Sequence, residues 1–237
     1  MYLLLSGEGK SDLGCCDMHL PICEGDDFSP GPMAWFVDQL IEQKFDLSHI
    51  DNYQCGFIPE KQLSKIAKKS LPMGLTGKKR KKETLFFYKN SSALAIEAHK
   101  MNRNKNDLVL AVLFRDSDGT NSTHSGDWKN KWDSIEKGFK DQNFYFGVPM
   151  LPKPKSEAWL LCATKNIYQH CDRLEDESGN DNSPNSLKKQ LGEYLQGKTS
   201  AADLTEKVKD KVINVNWINM KSLNKFKEHL NDVLNRI

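Results

Sequence analysis

Hydrophobic positions follow two patterns along this chain. The stretch from Tyr2 to Ser6 and the run from Leu108 to Phe114 are of strand length and nearly continuous in apolar residues, as strands buried on both faces of a parallel sheet require. Elsewhere apolar residues recur at helical spacing. Positions 33, 36/37, 40/41 and 45 form one stripe, and Trp128, Trp132, Ile135 and Phe139 form a second at spacings of 4, 3 and 4. So regular a stripe marks the tryptophans as core rather than as stacking platforms for bases.

The pattern also predicts short strands over residues 53–58 and 144–148 and a basic helix over 60–69. Residues 74–82 read as a loop, Asn90-Ser91-Ser92 as the cap of a helix from about 93 to 101, and Ser156 as the cap of a helix through Cys162. A polar linker spans 175–186. After it come helical stripes, Leu187, Leu191 and Leu195 and then Leu223, Phe226, Leu230, Val233 and Ile237. This order predicts an α/β fold, a parallel sheet flanked by helices, with a C-terminal α-helical segment. The catalytic domain is expected over residues 1–165, with inserted Cys-rich and basic segments at about 15–85, and a helical extension over 166–237.

The chain has 237 residues, 38% hydrophobic and 28% charged, the balance of a folded globular protein rather than a disordered one. No apolar run approaches the length of a membrane span. Leu3 to Leu5 is too short for the apolar core of a signal peptide and lacks a basic leader, so a cytoplasmic protein is expected. Six cysteines show no regular framework, and reduced thiols are the expectation. Cys15, Cys16, His19 and Cys23 have a spacing that can present three or four ligands to Zn²⁺, with Cys55 a further candidate. Without a Cys-x2-Cys pair, a loop of buried thiols is the preferred reading over zinc.

The net charge of +2 hides an asymmetry. Residues 1–59 hold 2 basic and 10 acidic side chains, residues 60–105 hold 13 basic and 3 acidic, and the rest is neutral. An acidic territory that holds cations beside a basic one that holds phosphates suits a protein acting on nucleic acid. The densest basic run is Lys78-Lys79-Arg80-Lys81-Lys82, with Lys61, Lys65, Lys68 and Lys69 nearby in sequence. A phosphate-backbone contact is its assigned role.

Two acidic motifs close the two clearest strands: Ser6-Gly7-Glu8-Gly9 and Phe114-Arg115-Asp116-Ser117-Asp118-Gly119. In open α/β sheets, ligands bind at that carboxyl edge. Carboxylates at i and i+2 in a loop can converge on one cation, and a third from a neighbouring strand completes a hard-oxygen site of the kind Mg²⁺ prefers.

A strand ending in Glu-Gly followed by a strand ending in Asp-x-Asp resembles the paired signature of toprim domains, found in topoisomerases, primases and the overcoming-lysogenization-defect nucleases. Phe114 to Thr120 and the block Pro152-Lys153-Pro154-Lys155-Ser156-Glu157-Ala158-Trp159-Leu160 resemble most closely the small toprim-like proteins of bacterial defence gene clusters. The motifs stand 108 residues apart, further than a compact toprim core needs, which the inserted segments account for.

The resemblance implies a toprim-like sheet and a Mg²⁺-dependent nuclease, with Mn²⁺ a possible substitute, acting on DNA or RNA in antiviral defence. It implies metal ligation by Glu8, Asp116, Asp118 and Glu157, with Glu8 as general acid or base. Lys155, together with Lys153, would place positive charge beside the phosphate. It also implies a gating ATPase partner that docks on the helical extension. His124 is read as incidental. Two other readings stay open: a regulatory subunit that keeps the shell without cleaving, and a phosphatase. Asp116-x-Asp118-Gly119-Thr120 also resembles the nucleophile loop of haloacid-dehalogenase-type phosphatases, a reading that leaves Glu8 without a role.

Replacing residues 78–82 with Ser and Gly is expected to weaken nucleic-acid binding about equally across sequences. It should lower the slope of log affinity against log salt by about 0.7–0.9 per lost phosphate contact. An unchanged slope in anisotropy titrations would return this run to a solvated loop.

Overall fold

The computed structural model describes residues 1–16, 20–70, 82–117, 125–164 and 171–237. Asp118, His19, His124 and residues 78–81 therefore lie outside the described residues, and of Lys82 only the backbone is described. The chain builds β1 (Tyr2–Gly7), a short helical turn, β2 (Gly14–Cys16), β3 (Cys23–Glu24), β4 (Phe28–Pro30) and α1 (Pro32–Phe45). Next come β5 (Cys55–Pro59), α2 (Glu60–Ser70), α3 (Lys82–Lys105), β6 (Val109–Phe114), α4 (Ser125–Asp141), β7 (Gly147–Met150) and α5 (Ser156–Thr164). Three further helices follow, α6 (Leu187–Tyr194), α7 (Ala201–Lys209) and α8 (Lys221–Leu234).

The main sheet has the order β3-β5-β1-β6-β7, with only the edge strand β3 antiparallel. The architecture is α/β, a mostly parallel sheet flanked by helices, with helices at the C-terminal end. Every residue of β1 and of β6 is buried, which is why both read as unbroken apolar runs. β7 begins at Gly147, three residues later than the aromatic stretch at 144–146 suggests. There Phe144 packs edge-on against His99 of α3 and so serves the helix layer.

The helix cap expected at residues 90–92 is overturned. Asn90, Ser91 and Ser92 do not cap a helix; they lie buried inside the single long helix α3. Ser91 Oγ bonds back to the Phe87 carbonyl at 3.1 Å, and Ser92 Oγ donates to the Gly138 carbonyl of α4 at 3.2 Å. Satisfied in this way, small polar residues can sit mid-helix at a close helix–helix contact. Gly138 makes the contact possible, since a Cβ there would lie 1.9 Å from Ser91 Oγ and 2.5 Å from the Tyr88 carbonyl.

The C-terminal helices share the hydrophobic core of the sheet unit. Trp159 of α5 stacks on Phe226 of α8, and its indole N–H donates to Ser222 Oγ at 2.8 Å. Gln39 of α1 donates to the Val208 carbonyl of α7 at 2.6 Å. No helix among the described residues is long and apolar enough to cross a membrane.

Two disulfides, Cys16–Cys23 and Cys162–Cys171, correct the expectation of reduced thiols. They close loops of 7 and 9 residues, a spacing that forms no recognisable framework in the sequence. Disulfide sulfurs are not thiolate ligands, so in this state Cys16 and Cys23 offer nothing to zinc. Cys15 and Cys55 are free, and burial pushes the Cys55 thiol up to about 12, which leaves it unreactive at neutral pH.

Gly138→Ala should cost about 1–3 kcal/mol despite the better helix propensity of alanine, because the added methyl forces α3 and α4 apart. A urea-unfolding measurement showing a neutral or stabilising effect would contradict the close packing.

Candidate metal centre

Strand register builds the site. Gly7 pairs with Pro59 on one side and with Phe114 on the other, and Phe114 pairs with Met150, so the four parallel strands end level. The residues that follow on the three adjacent strands β5, β1 and β6 are Glu60, Glu8 and Arg115. Successive connections from the central β1 leave to opposite sides. The gap between β1 and β6 is therefore the topological switch point, where open α/β sheets form a binding crevice.

Glu8 spans that gap. Its Oε1 accepts the Asp116 amide at 3.0 Å, and its Oε2 lies 3.0 Å from the Arg115 guanidinium. The same guanidinium reaches Glu60 Oε1 at 2.5 Å and lies 4.2 Å over the Phe86 ring. One cation thus ties together the ends of three neighbouring strands. Gly9 turns the chain away immediately afterwards with φ of +82°, and a Cβ there would sit 2.4 Å from Asp12 Oδ2. The Glu-Gly pair therefore has a local steric reason as well as a chemical one.

Asp116 does a second job. Its Oδ1 accepts the amide of Ser156, the first residue of α5, at 2.9 Å, and so caps that helix from outside. Ser156 was expected to cap with its own side chain; instead its buried hydroxyl donates to Asp12 Oδ1 at 2.5 Å. Glu157 Oε2 lies 3.5 Å from the same hydroxyl oxygen. A hydroxyl has one proton, and here it goes to Asp12. Burial pushes the Glu157 carboxyl above the usual range and the nearby Asp12 charge adds to this, while its own backbone amide and Lys155 pull the other way.

The loop after Asp116 is held from two directions. The Ser117 amide and hydroxyl donate to the Pro154 carbonyl at 3.0 and 3.2 Å, and the fully buried Lys131 of α4 donates to the Ser117 carbonyl at 2.6 Å.

Of the residues the sequence singles out, Glu8, Asp116 and Glu157 come together on one edge of the sheet, the last two through Ser156. Lys153 and Lys155 lie at the same edge, where they pair with Asp176 at 3.3 Å and Asp181 at 2.8 Å, acids at and beyond the short helical turn Cys171–Asp176. Asp118 and the run 78–81 lie outside the described residues. Arg115, Glu60, Asp12 and Lys131 carry no role legible in the sequence, and the cap role expected of Ser156 is not the one it plays. Strand register and helix packing reveal them.

Among the described residues, no group of three or more His, Cys, Asp or Glu side chains is arranged to hold an ion. The chemistry of the donors nonetheless suits Mg²⁺. Glu8 and Asp116 present hard carboxylate oxygens at neighbouring strand ends, each oriented by a backbone amide, with Asp12 and Glu157 on either side of Ser156. No family model, curated protein or solved structure matches this chain.

The raised pKa of Glu157 has a direct consequence. A carboxyl whose folded pKa exceeds its unfolded value of 4.5 favours folding below that pH and loses this contribution as the pH rises through the folded pKa. Glu157→Gln should therefore gain stability over the wild type at pH 7.5 relative to pH 4, as read by thermal unfolding in EDTA. A mutational difference that is the same at both pH values would show that Glu157 is not held in a desolvated, acidic setting.

Proposed function

We propose that this chain is a toprim-type, Mg²⁺-dependent nuclease that cleaves phosphodiester bonds in DNA or RNA, an antiviral defence effector gated by an ATPase partner. The observation that carries the reading is the hydrogen bond from the Asp116 amide to the Glu8 carboxylate, which brings the two acidic motifs together at the switch point of the sheet. Motifs 108 residues apart have no reason to meet there by local structure alone.

With Mg²⁺ or Mn²⁺ bound by Glu8, Asp116 and Asp118, and by Glu157 directly or through water, the centre supplies a Lewis acid to the scissile phosphate. The protein's own residues supply the rest. Glu8 is the general acid or base, held in place by its ion pair with Arg115. The Ser156 amide fixes the direction of the Asp116 carboxylate. Glu157, with a raised pKa, holds a proton more readily than an exposed acid, and Lys155 adds positive charge beside it. The helical segment exposes Tyr194, Val212 and Trp217, apolar surface on which the gating partner would dock. A cytoplasmic site of action belongs to this reading, and the two disulfides would then have to persist against cellular reductants.

Asp116→Asn keeps an oxygen to accept the Ser156 amide, so it should fold normally while losing about 100-fold or more of Mg²⁺-dependent cleavage of DNA and RNA panels, assayed with and without the partner. Asp118→Asn and Glu8→Gln should be equally damaging. Full activity in the two aspartate variants would end the reading. An active Glu8→Gln protein that hydrolyses a simple phosphate monoester would favour the phosphatase. Mg²⁺ binding by calorimetry with no turnover, even beside the partner, would favour a regulatory subunit.

A further inference from the structure

Beside Glu8 lies an open cleft of about 520 Å³, between the carboxyl ends of β1 and β5 and the first turns of α2. Five charged side chains line it: the acids Glu8 and Glu60 and the lysines Lys10, Lys61 and Lys65. Both acids are bound to Arg115, whose single charge offsets one of the two. All three lysines are exposed, and none has an ion-pair partner among the described residues. With Arg115 counted, four cations stand against two carboxylates, and the cleft attracts anions although its two acids belong to the most acidic part of the sequence.

The lining also carries accessible apolar surface from Leu20 and the half-buried Pro59, whereas Phe57 beneath them is buried and stacked on Phe28. Lys61 and Lys65 stand one helical turn apart on the outer face of α2, while Leu63 and Ala67 anchor the inner face in the core. Exposed cations beside accessible apolar surface match a chain with phosphates on one edge and base faces on the other. A duplex keeps its base faces stacked inside and cannot offer them to such a surface, whereas an unpaired strand can.

We propose that this cleft seats a single, unpaired nucleic-acid strand, with its phosphates on Lys61, Lys65 and Lys10 and its bases against Leu20 and Pro59, and leads it to Glu8. The identity of the chain rests on the nuclease reading; the charge and shape of the cleft do not.

The test is binding in EDTA, where no cleavage occurs. Fluorescence anisotropy of the full-length protein with a labelled oligothymidylate of about 12 nucleotides should show tighter binding than with a blunt duplex of equal length. Lys61→Ala/Lys65→Ala should weaken single-strand binding about 10-fold and lower the salt slope by about 1.4, at about 0.7 per lost phosphate contact. Both positions are exposed, so the variant should fold; circular dichroism checks this. An unchanged salt slope in the variant, or duplex binding as tight as single-strand binding, overturns the proposal. Cleavage by the wild type in Mg²⁺, scored separately, distinguishes the two readings. Lysine-dependent strand binding without cleavage, either alone or beside the partner, supports the cleft and removes the nuclease, whereas cleavage with binding indifferent to both lysines removes the cleft.

Discussion

Parallel pairing of β1 with β6 is the constraint on which the rest of the site depends. Six residue pairs, from Tyr2↔Val109 to Gly7↔Phe114, set the two strands in a register that leaves Glu8 level with Arg115. Because side chains alternate between faces, a slip of one residue would exchange the faces of a strand buried on both sides and move the carboxylate away from the Asp116 amide. The same alignment on the other side of β1 brings Glu60 level with Glu8, so the guanidinium of Arg115 meets two acids rather than one. Hydrophobic burial holds the strands in place, and the charged groups at their ends inherit their positions from it.

What the sequence reveals, and what it hides, follows from the range of the interactions. β1, β6 and α4 are readable because their burial repeats within a few residues: β6 is apolar throughout, β1 is apolar but for the buried Ser6, and α4 buries Trp132, Ile135 and Phe139 on one stripe. The placement of Glu8 and Asp116 at strand ends is readable for the same reason. The run Asn90-Ser91-Ser92 misleads because its cap-like composition is satisfied within α3 and against Gly138, a partner 46 residues beyond Ser92. Arg115, Glu60, Asp12 and Lys131 had no local signal, and the cap signal at Ser156 points to the wrong partner. Each takes its role from a residue brought near by tertiary packing, at separations from 14 residues for Lys131 to 144 for Ser156 and Asp12.

The distribution of charge is likewise more finely arranged than a count by segment suggests. Glu8, Asp12, Asp116 and Glu157 form an acidic edge, yet Arg115, Lys131 and Lys155 stand within or just behind it. Carboxylates crowded without such cations would raise one another's pKa and tend to remain protonated. Arg115 ion-pairs with Glu8 within this edge, while burial and the nearby Asp12 charge drive the Glu157 carboxyl upward.

Asp116 is also the outside cap of α5, and that makes the helix a lever. α5 runs from Ser156, tethered to Asp116, toward Thr164, a span of about 13 Å at the usual helical rise. Midway along it, Trp159 is wedged against Phe226 and Ser222 of α8. Near its far end, Cys162 is covalently stapled to Cys171. Any rotation of the Asp116 carboxylate toward a new partner must therefore either release the first amide of α5 or carry the helix along and disturb the tryptophan wedge. The acidic edge and the α8 contact thus bear on one short helix, Asp116 holding its first amide while Phe226 and Ser222 hold its middle.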